Sequence, residues 1–442
     1  MLAWLMCCPV LPDRLAHVTS FRSGAEGPIV IEHREALAYM LREAAELEHT
    51  FMCTYLFAAF SLKRSVDEGL TPEQLAAVQR WRKAILHVAK QEMLHLALAQ
   101  NLLVSIGAAP HFERPRLPCS ASHFPPGIRL ALLPLDERAV RHFLYLERPE
   151  GMAVDDAEGF AAVERAAALL AEPGEIVPHG QDFETIGHLY RAIEAGFVRL
   201  ASQRGEARLF IGPPGAQATS ASFGWPELRA VSDLAAASSV IETIVEQGEG
   251  ARGEWKQAHF GRFHDMLDEY LALKAADPGF VPARQVVAGV VRPHPAIPDV
   301  PVIGDRATAH VADLFNVAYE VLIVVLSRFF AHSDEGPGQI AALADIAVGL
   351  MLEAIEPLGE ALTGMPFGDA KPGMNAGPTF ELFYESGYLL PHREAAWLLM
   401  EERLREAAAF ASRISSSSPP AVATVATALA KYADQVAEKR SG

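Results

Sequence analysis

Acidic side chains stand at positions where predicted helices would normally carry apolar ones. Glu48 continues a helical face on which apolar residues recur every three or four positions. Glu92 and His95 lie one turn apart on the apolar face of a second helix. Glu194 lies on the apolar face of a third helix. A buried carboxylate without a partner costs at least several kcal/mol, so these placements require a compensating positive charge.

Two divalent metal ions would supply that charge. Four-helix bundles that hold two iron or manganese ions take one Glu from each of two helices and a Glu-x-x-His pair from each of the other two. Glu92 and His95 form one such pair, and Glu48 and Glu194 fit the helices that give a single Glu. The pattern therefore predicts a dinuclear centre with two iron or manganese ions as cofactors, whose open coordination position would support oxidative chemistry.

The fourth helix departs from this pattern because it contains no Glu-x-x-His pair. We infer that a polar insertion at 250–258 splits the pair, which leaves Glu249 before it and His259 after it. Glu249 follows the apolar face better than Glu246 does, but Glu246 or His264 could take either place. The predicted metal ligands are Glu48, Glu92, His95, Glu194, Glu249 and His259.

Apolar periodicity over long segments, without alternating strand patterns, predicts an all-α protein built on a four-helix bundle. The second helix starts at Thr71-Pro72-Glu73, which combines an N-cap, a proline at the first helical position and an acid in the first turn. The bundle helices are expected at 32–63, 71–107, 182–203, 225–250 and 258–274.

Prolines and apolar patterning divide the chain into four parts. We expect a lead-in at 1–30, the bundle at 31–277, a linker at 278–304 and a C-terminal helical domain at 305–442. A proline-rich excursion at 108–180 interrupts the bundle and would form a lid or substrate pocket, with short helices near 136–147 and 156–171. The C-terminal helices are expected at 307–332, 339–363, 391–416 and 419–438.

The composition narrows the class of partner and the compartment. A net charge of −17 over 442 residues disfavours nucleic acid and anionic membrane surfaces as partners. The four cysteines form no CxxC pair, and the apolar stretch 317–331 is interrupted by Glu320 and Arg328, which favours a buried helix. We therefore expect a soluble, cytoplasmic protein.

The motifs resemble those of bacterial ferritin-like proteins, in particular the group related to the iminophenyl-pyruvate dimer synthases of violacein and indolocarbazole biosynthesis. The resemblance covers most of residues 32–415 and implies a ferritin-like four-helix bundle, an iron or manganese centre and an oxidative reaction in secondary metabolism. It is carried by the segments 47–49 (LEH), 92–95 (EMLH), 189–194 (LYRAIE), 244–250 (IVEQGEG), 259–260 (HF), 357–359 (PLG), 376–381 (AGPTFE) and 395–397 (AAW).

Two classes of function follow from these observations. The first is a metal-dependent oxidoreductase or oxidase that acts on a small organic molecule, with dioxygen or peroxide as co-substrate. The second is a non-enzymatic metal-binding or scaffold protein, which would bind metal without turning over oxygen or peroxide. Disproportionation of peroxide, as in manganese catalases, is a further alternative that oxygen evolution would reveal. The sequence leaves the substrate, the identity of the metal and the formation of a homo-oligomer open.

Overall fold

The computed structural model describes residues 29–115, 130–152, 154, 181–250, 254–289, 302–382 and 391–440. The predicted helix near 156–171 and most of the predicted lead-in lie outside these ranges. In the described residues the regular structure is helical, and β-pairing is limited to isolated bridges such as the one between Leu62 and Ala283. The prediction of an all-α protein is therefore confirmed.

Within the described residues, the N-terminal part contains two helices of 28 and 34 residues and six shorter α-helices. The helix Pro72–Ser105 begins as the sequence indicates, because the Thr71 hydroxyl accepts a hydrogen bond from the Gln74 amide and Pro72 is the first helical residue. The helices are α1 (Arg34–Ser61), α2 (Pro72–Ser105), α3 (Glu137–Leu146), α4 (Ile186–Arg204), α5 (Glu206–Leu209), α6 (Ser220–Phe223), α7 (Leu234–Gly248) and α8 (His259–Ala276).

The predicted start of the fourth helix near residue 225 is wrong, since α7 begins at Leu234. Asp233 caps it by accepting a hydrogen bond from the Ala236 amide. The preceding segment is held as a loop by α2, where the buried Asn101 amide donates to the Arg229 carbonyl at 2.9 Å. In a continuous helix this carbonyl would accept a hydrogen bond from a backbone amide of the same helix, but here it accepts one from a side chain of another helix.

The two halves of the bundle differ in continuity. α1 and α2 are unbroken and pack along each other. The second pair is divided: α3 is separated from α4 by residues 147–185, and α7 from α8 by residues 249–258. α3 packs against α8, whereas α4 packs against α7. The ends of α3, α4, α7 and α8 all contribute to the lining of one cavity, so both divisions lie at the same level of the bundle.

The C-terminal part is helical as predicted. The predicted helix at 339–363 is continuous but passes through one π-helical turn, Met351–Ile355. The hairpin formed by the last two helices packs against the first two helices of this part. The helices are α9 (Arg306–Phe330), α10 (Pro337–Leu350), α11 (Glu356–Leu362), α12 (Arg393–Ile414) and α13 (Ala421–Arg440).

Two C-terminal segments have the length and apolar composition of a membrane span, namely Arg306–Phe330 and Pro337–Leu362. Inside the protein, 72% and 50% of their most apolar windows are buried. Two charged residues of α9, Glu320 and Arg328, are buried too, and each is paired: Glu320 accepts a hydrogen bond from Arg403 and Arg328 donates to Glu335. This pairing fits the interpretation of α9 as a core helix.

The C-terminal helices pack on α1. The Phe60 ring lies so close to Gly359 that a Cβ there would approach it to 2.5 Å, and Phe57 faces Gly377 in the same way. Thr363 donates a hydrogen bond to the Phe60 carbonyl at 2.9 Å. One face of α1 therefore contacts the C-terminal part, while another carries Glu48 towards the bundle interior.

Candidate metal centre

Five buried side chains form two overlapping groups in the bundle interior. Glu48, Glu92 and His95 form one group, and Glu92, Glu147 and His259 form the other. Within each group, one donor atom per residue lies within 4.8 Å of the others. α1 supplies Glu48 and α2 supplies Glu92 and His95, whereas Glu147 caps the end of α3 and His259 opens α8.

Glu92 belongs to both groups through different oxygen atoms. Its Oε2 lies 3.2 Å from His95 Nδ1, and its Oε1 lies 2.9 Å from His259 Nδ1. Each imidazole also faces a second carboxylate: His95 Nδ1 is 3.4 Å from Glu48 Oε2, and His259 Nδ1 is 3.5 Å from Glu147 Oε2. This is the arrangement expected of a carboxylate that bridges two cations, each with a terminal carboxylate and an imidazole.

Two tyrosines hold the terminal carboxylates. The Tyr190 hydroxyl donates to Glu48 Oε1 at 2.7 Å, and the Tyr55 hydroxyl donates to Glu147 Oε1. In both cases the phenol occupies one oxygen and leaves Oε2 facing an imidazole. Hydrogen bonds of this kind orient the carboxylates without occupying the oxygen that faces the centre.

The charges at the centre are strongly coupled. Burial raises the pKa of Glu48 to about 8. Burial alone would lower the pKa of His259, but the facing carboxylates of Glu147 and Glu92 raise it to about 9. Burial would likewise raise the pKa of Glu92, yet His259 and His95 hold it below its ordinary value. Without metal, bound protons therefore supply the positive charge that the buried carboxylates need.

Several side-chain atoms at the centre that could bind a metal ion have no hydrogen-bond partner among the described residues. Glu92 Oε1 and both ring nitrogens of His259 are buried, and within the described ranges none of them makes a hydrogen bond of acceptable geometry. Close approach without hydrogen-bond alignment is what side chains show when they converge on a common cation. Three carboxylates and two imidazoles also match the preferences of iron and manganese, so the residues fit the predicted ions.

The structure brings Glu48, Glu92, His95 and His259 together but leaves Glu194 outside both groups. Glu194 is only partly buried on α4, and Tyr190, one turn earlier, reaches Glu48 instead. Tyr190 faces the centre because it lies on the buried face of α4, together with Leu189, Ile193 and Phe197.

Glu249 lines the cavity but belongs to neither group. Its Oε1 accepts a hydrogen bond from the Gly187 amide at 2.7 Å, and its Oε2 lies 3.6 Å from Arg191. The carboxylate thus caps the N-terminus of α4. The two alternatives left open by the sequence are less buried: Glu246 is exposed, and the His264 side chain is 43% exposed beside Asp268.

Glu147 takes a place that the sequence prediction did not assign. It ends the short helix predicted at 136–147, inside the proline-rich excursion. One signal was available, since Glu147 lies four residues after the buried Phe143 and continues the apolar face of that helix. Its carboxylate lies at the centre because α3 packs against α8 and because the Tyr55 hydroxyl donates a hydrogen bond to it.

The cavity at the centre opens to solvent, and the empty space within it and at its mouth is about 320 Å³. Besides the five side chains of the two groups, its walls are mostly apolar. The apolar lining residues are Phe51, Leu146, Ile186, Ile244 and Val245. Such walls restrict water around the charged groups and strengthen the electrostatic interactions between them.

Comparison with known proteins gives relatives and a family. The chain is 27% identical over 384 residues to the 2-imino-3-(indol-3-yl)propanoate dimerase of Chromobacterium violaceum, which covers 80% of this chain and 34% of the relative. It is 25% identical over 413 residues to the dichlorochromopyrrolate synthase of Lentzea aerocolonigenes, covering 86% of this chain and 39% of that one. The chain thus spans between a third and two fifths of the length of these curated relatives. They match the group suggested by the sequence motifs.

A crystal structure of a ferritin-like protein from Caulobacter vibrioides aligns with 71% of this chain and 93% of its own, with a TM-score of 0.44 and 21% identity. The family model described as ferritin-like matches residues 41–268, which is just over half of the 442 residues. This range includes most of α1, all of α2 and all five residues of the two groups. The chain therefore belongs to the ferritin-like family.

Proposed function

We propose that this chain is a dinuclear metal oxidoreductase that binds two iron or manganese ions and oxidises a small organic molecule. The observation that carries the proposal is the position of Glu92, whose two oxygens face two different imidazoles in a buried, solvent-restricted site. Glu48 and His95 would complete one position, and Glu147 and His259 the other. In this assignment Glu147 takes the role that the sequence analysis gave to Glu194.

The chemistry would be divided between the ions and the chain. When bound, the ions supply an electron acceptor and an open coordination position for dioxygen or peroxide. The chain holds the carboxylates through Tyr55 and Tyr190, and Gln247 accepts a hydrogen bond from His95 Nε2 at 3.0 Å. At one wall of the cavity, Glu249 links the end of α7 to the start of α4 by accepting a hydrogen bond from the Gly187 amide. These groups orient the ligands before any ion or substrate arrives.

The relatives support the class of substrate. One is named as a dimerase of an indole-bearing imino acid and the other as a dichlorochromopyrrolate synthase. We propose that the substrate here is a small organic molecule of secondary metabolism. We further propose a cytoplasmic location, supported by the free thiol of the buried Cys53, which fractionation of producing cells would test.

The test begins with the metal content of the full chain purified without chelators. We expect close to two iron or manganese ions per chain, and oxygen or peroxide consumption when 2-imino-3-(indol-3-yl)propanoate is offered as a probe substrate. Glu92→Gln should lose both ions and the activity, because the shared carboxylate serves both positions. Glu194→Gln is the matched control, and it should keep both ions.

The outcomes separate the candidate functions. A chain that retains no iron or manganese, or a Glu92→Gln variant with unchanged metal content, would contradict the proposal. Two bound ions without consumption of oxygen or peroxide would instead favour the non-enzymatic metal-binding protein. Oxygen evolution from peroxide alone would favour peroxide disproportionation.

A further inference from the structure

A second buried polar cluster lies between α1 and α9, on another face of α1 than the one that carries Glu48 to the metal centre. The phenol oxygen of Tyr319 is in the middle of this cluster. It is hydrogen-bonded to His49 Nε2, lies 3.3 Å from Cys53 Sγ and accepts a hydrogen bond from Arg114 Nε at 3.1 Å. The side chains of His49, Cys53 and Tyr319 are almost completely shielded from solvent. The metal centre uses none of these groups.

We propose that Cys53 and Tyr319 form a modification site, at which oxidation joins the cysteine sulfur to the tyrosine ring as a thioether. The bond forms at a ring carbon next to the one that carries the hydroxyl, and it ties α1 of the bundle to α9 of the C-terminal part. This inference rests on the proposed function, because iron bound at the metal centre is the catalyst of the oxidation.

The hydrogen bonds of the phenol hold the sulfur beside the ring. A phenol donates one hydrogen bond and accepts up to two. Tyr319 donates to His49 and accepts from Arg114, which leaves the thiol of Cys53 as the second donor. The Arg114 guanidinium also lies over the Tyr319 ring, 5.5 Å from its centroid. The thiol is therefore a fixed partner of the hydroxyl, next to the ring carbons that couple when a phenol is oxidised.

The segment 376–381, one of the motifs that carry the family resemblance, holds the tyrosine ring in place. Phe380 has a φ of 49°, in the left-handed region that a non-glycine residue rarely adopts, and its ring packs edge-on against Tyr319 at 5.4 Å. Asn316 fixes this backbone by accepting a hydrogen bond from the Glu381 amide at 3.0 Å and donating to the Glu381 carboxylate at 3.2 Å. Strained backbone of this kind is typical of functional sites.

Neither group is suited to nucleophilic chemistry. Burial raises the pKa of the Cys53 thiol, and burial also raises the pKa of Tyr319 well above its ordinary value, although the Arg114 guanidinium opposes both shifts. Both groups are therefore protonated near neutral pH, whereas the thiolate is the nucleophilic form of cysteine. The chemistry that a thiol and a phenol in contact can undergo is oxidation, in which each gives up an electron and a proton.

The reaction removes two electrons and two protons from the chain. The S–H bond of Cys53 and one ring C–H bond of Tyr319 break, and one C–S bond forms. Hydrogen peroxide is the oxidant: its O–O bond breaks, and it takes up both electrons and both protons to give two molecules of water. The path for the electrons is short, because Glu48 at the centre directly precedes His49, which contacts the phenol.

The experiment is mass spectrometry of the full chain, produced without oxygen, loaded with Fe²⁺ and treated with hydrogen peroxide. We expect the intact mass to fall by that of two hydrogen atoms. Trypsin should release residues 43–63 and 307–328 as one linked peptide, which dithiothreitol does not separate because a thioether, unlike a disulfide, is not reduced. After reduction and unfolding, three of the 4 cysteines should react with iodoacetamide.

Two variants should abolish the linked peptide: Cys53→Ser, which removes the sulfur, and Tyr319→Phe, which removes the oxidisable phenol. Tyr39→Phe is the matched control, because Tyr39 lies near the start of the same helix, and it should keep the link. Circular dichroism and the iron content of each variant verify that the fold and the metal centre are kept.

The outcomes separate this inference from the proposed function. An iron-loaded chain that consumes peroxide without forming the linked peptide would overturn the inference and leave the proposed function in place, and so would a link that persists in Tyr319→Phe. A chain that binds no iron would contradict the proposed function. In that chain a linked peptide formed by peroxide would still support the modification site, and its absence would overturn it.

Discussion

At the scale of single residues, the account depends on how five buried side chains share protons and cations. Glu92 could be singled out from the sequence because Glu-x-x-His on an apolar helical face is an uncommon use of a core position. Glu147 could not be ranked in the same way, since it ends a short helix and its partners come from α1 and α8. Glu194 shows the reverse case, because a difference of one turn decides whether a carboxylate or Tyr190 reaches the centre.

Metal binding should strengthen as the pH rises from about 6 to 9. In the metal-free chain, burial raises the pKa of Glu48 to about 8, and Glu147 and Glu92 raise the pKa of His259 to about 9 against the effect of burial. Both groups therefore hold a proton at neutral pH, and an ion must displace it. Calorimetry in buffers of different ionisation enthalpy would measure the protons released. Binding without proton release, or with an affinity independent of pH, would contradict this account.

At the scale of the helices, the site lies where α3, α4, α7 and α8 end. The sequence predicted an excursion at 108–180 and an insertion at 250–258, but not that both divisions meet at one cavity. That meeting depends on which helices pack together, and periodicity along one segment carries no information about its neighbours. The start of α7 shows the same limit, because Asn101 on another helix holds the preceding loop.

The junction between α4 and α7 can be tested with a single methyl group. A Cβ on Gly187 would lie 2.3 Å from the buried Glu249 carboxylate, which would have to move and give up its hydrogen bond from the Gly187 amide. Gly187→Ala should therefore lower the free energy of unfolding by about 1–3 kcal/mol. Gly338, also the second residue of a helix, has open space around it, and Gly338→Ala should be neutral or stabilising by up to about 1 kcal/mol. Urea denaturation of both variants gives the comparison, and equal effects would show that the close contact is absent in solution.

At the scale of the whole molecule, α1 connects the metal centre to the C-terminal part. Glu48 faces the centre, whereas the adjacent His49 reaches Tyr319 on α9 through a hydrogen bond. The sequence predicted that residues 305–442 form helices, and the described helices there agree. The sequence did not predict that these helices pack on α1. The rings of Phe60 and Phe57 lie against Gly359 and Gly377, which are about 300 residues further along the chain, and periodicity along one segment does not reveal such a contact.

We expect the metal-free chain to unfold in one cooperative transition, since the bundle and the C-terminal helices share a continuous apolar core. Gly359→Leu should shift the whole transition to lower temperature, because its side chain would collide with the Phe60 ring. Differential scanning calorimetry measures this directly. Two separate transitions, with only one shifted by Gly359→Leu, would mean that the two parts unfold independently.

The central claim is that Glu92 bridges two metal ions, and anomalous X-ray diffraction from crystals of the full chain loaded with Mn²⁺ tests it most directly. The account predicts two anomalous peaks, one in contact with Glu48, Glu92 and His95 and the other in contact with Glu92, Glu147 and His259. Peaks at other side chains, or a single peak that Glu92 does not contact, would contradict it.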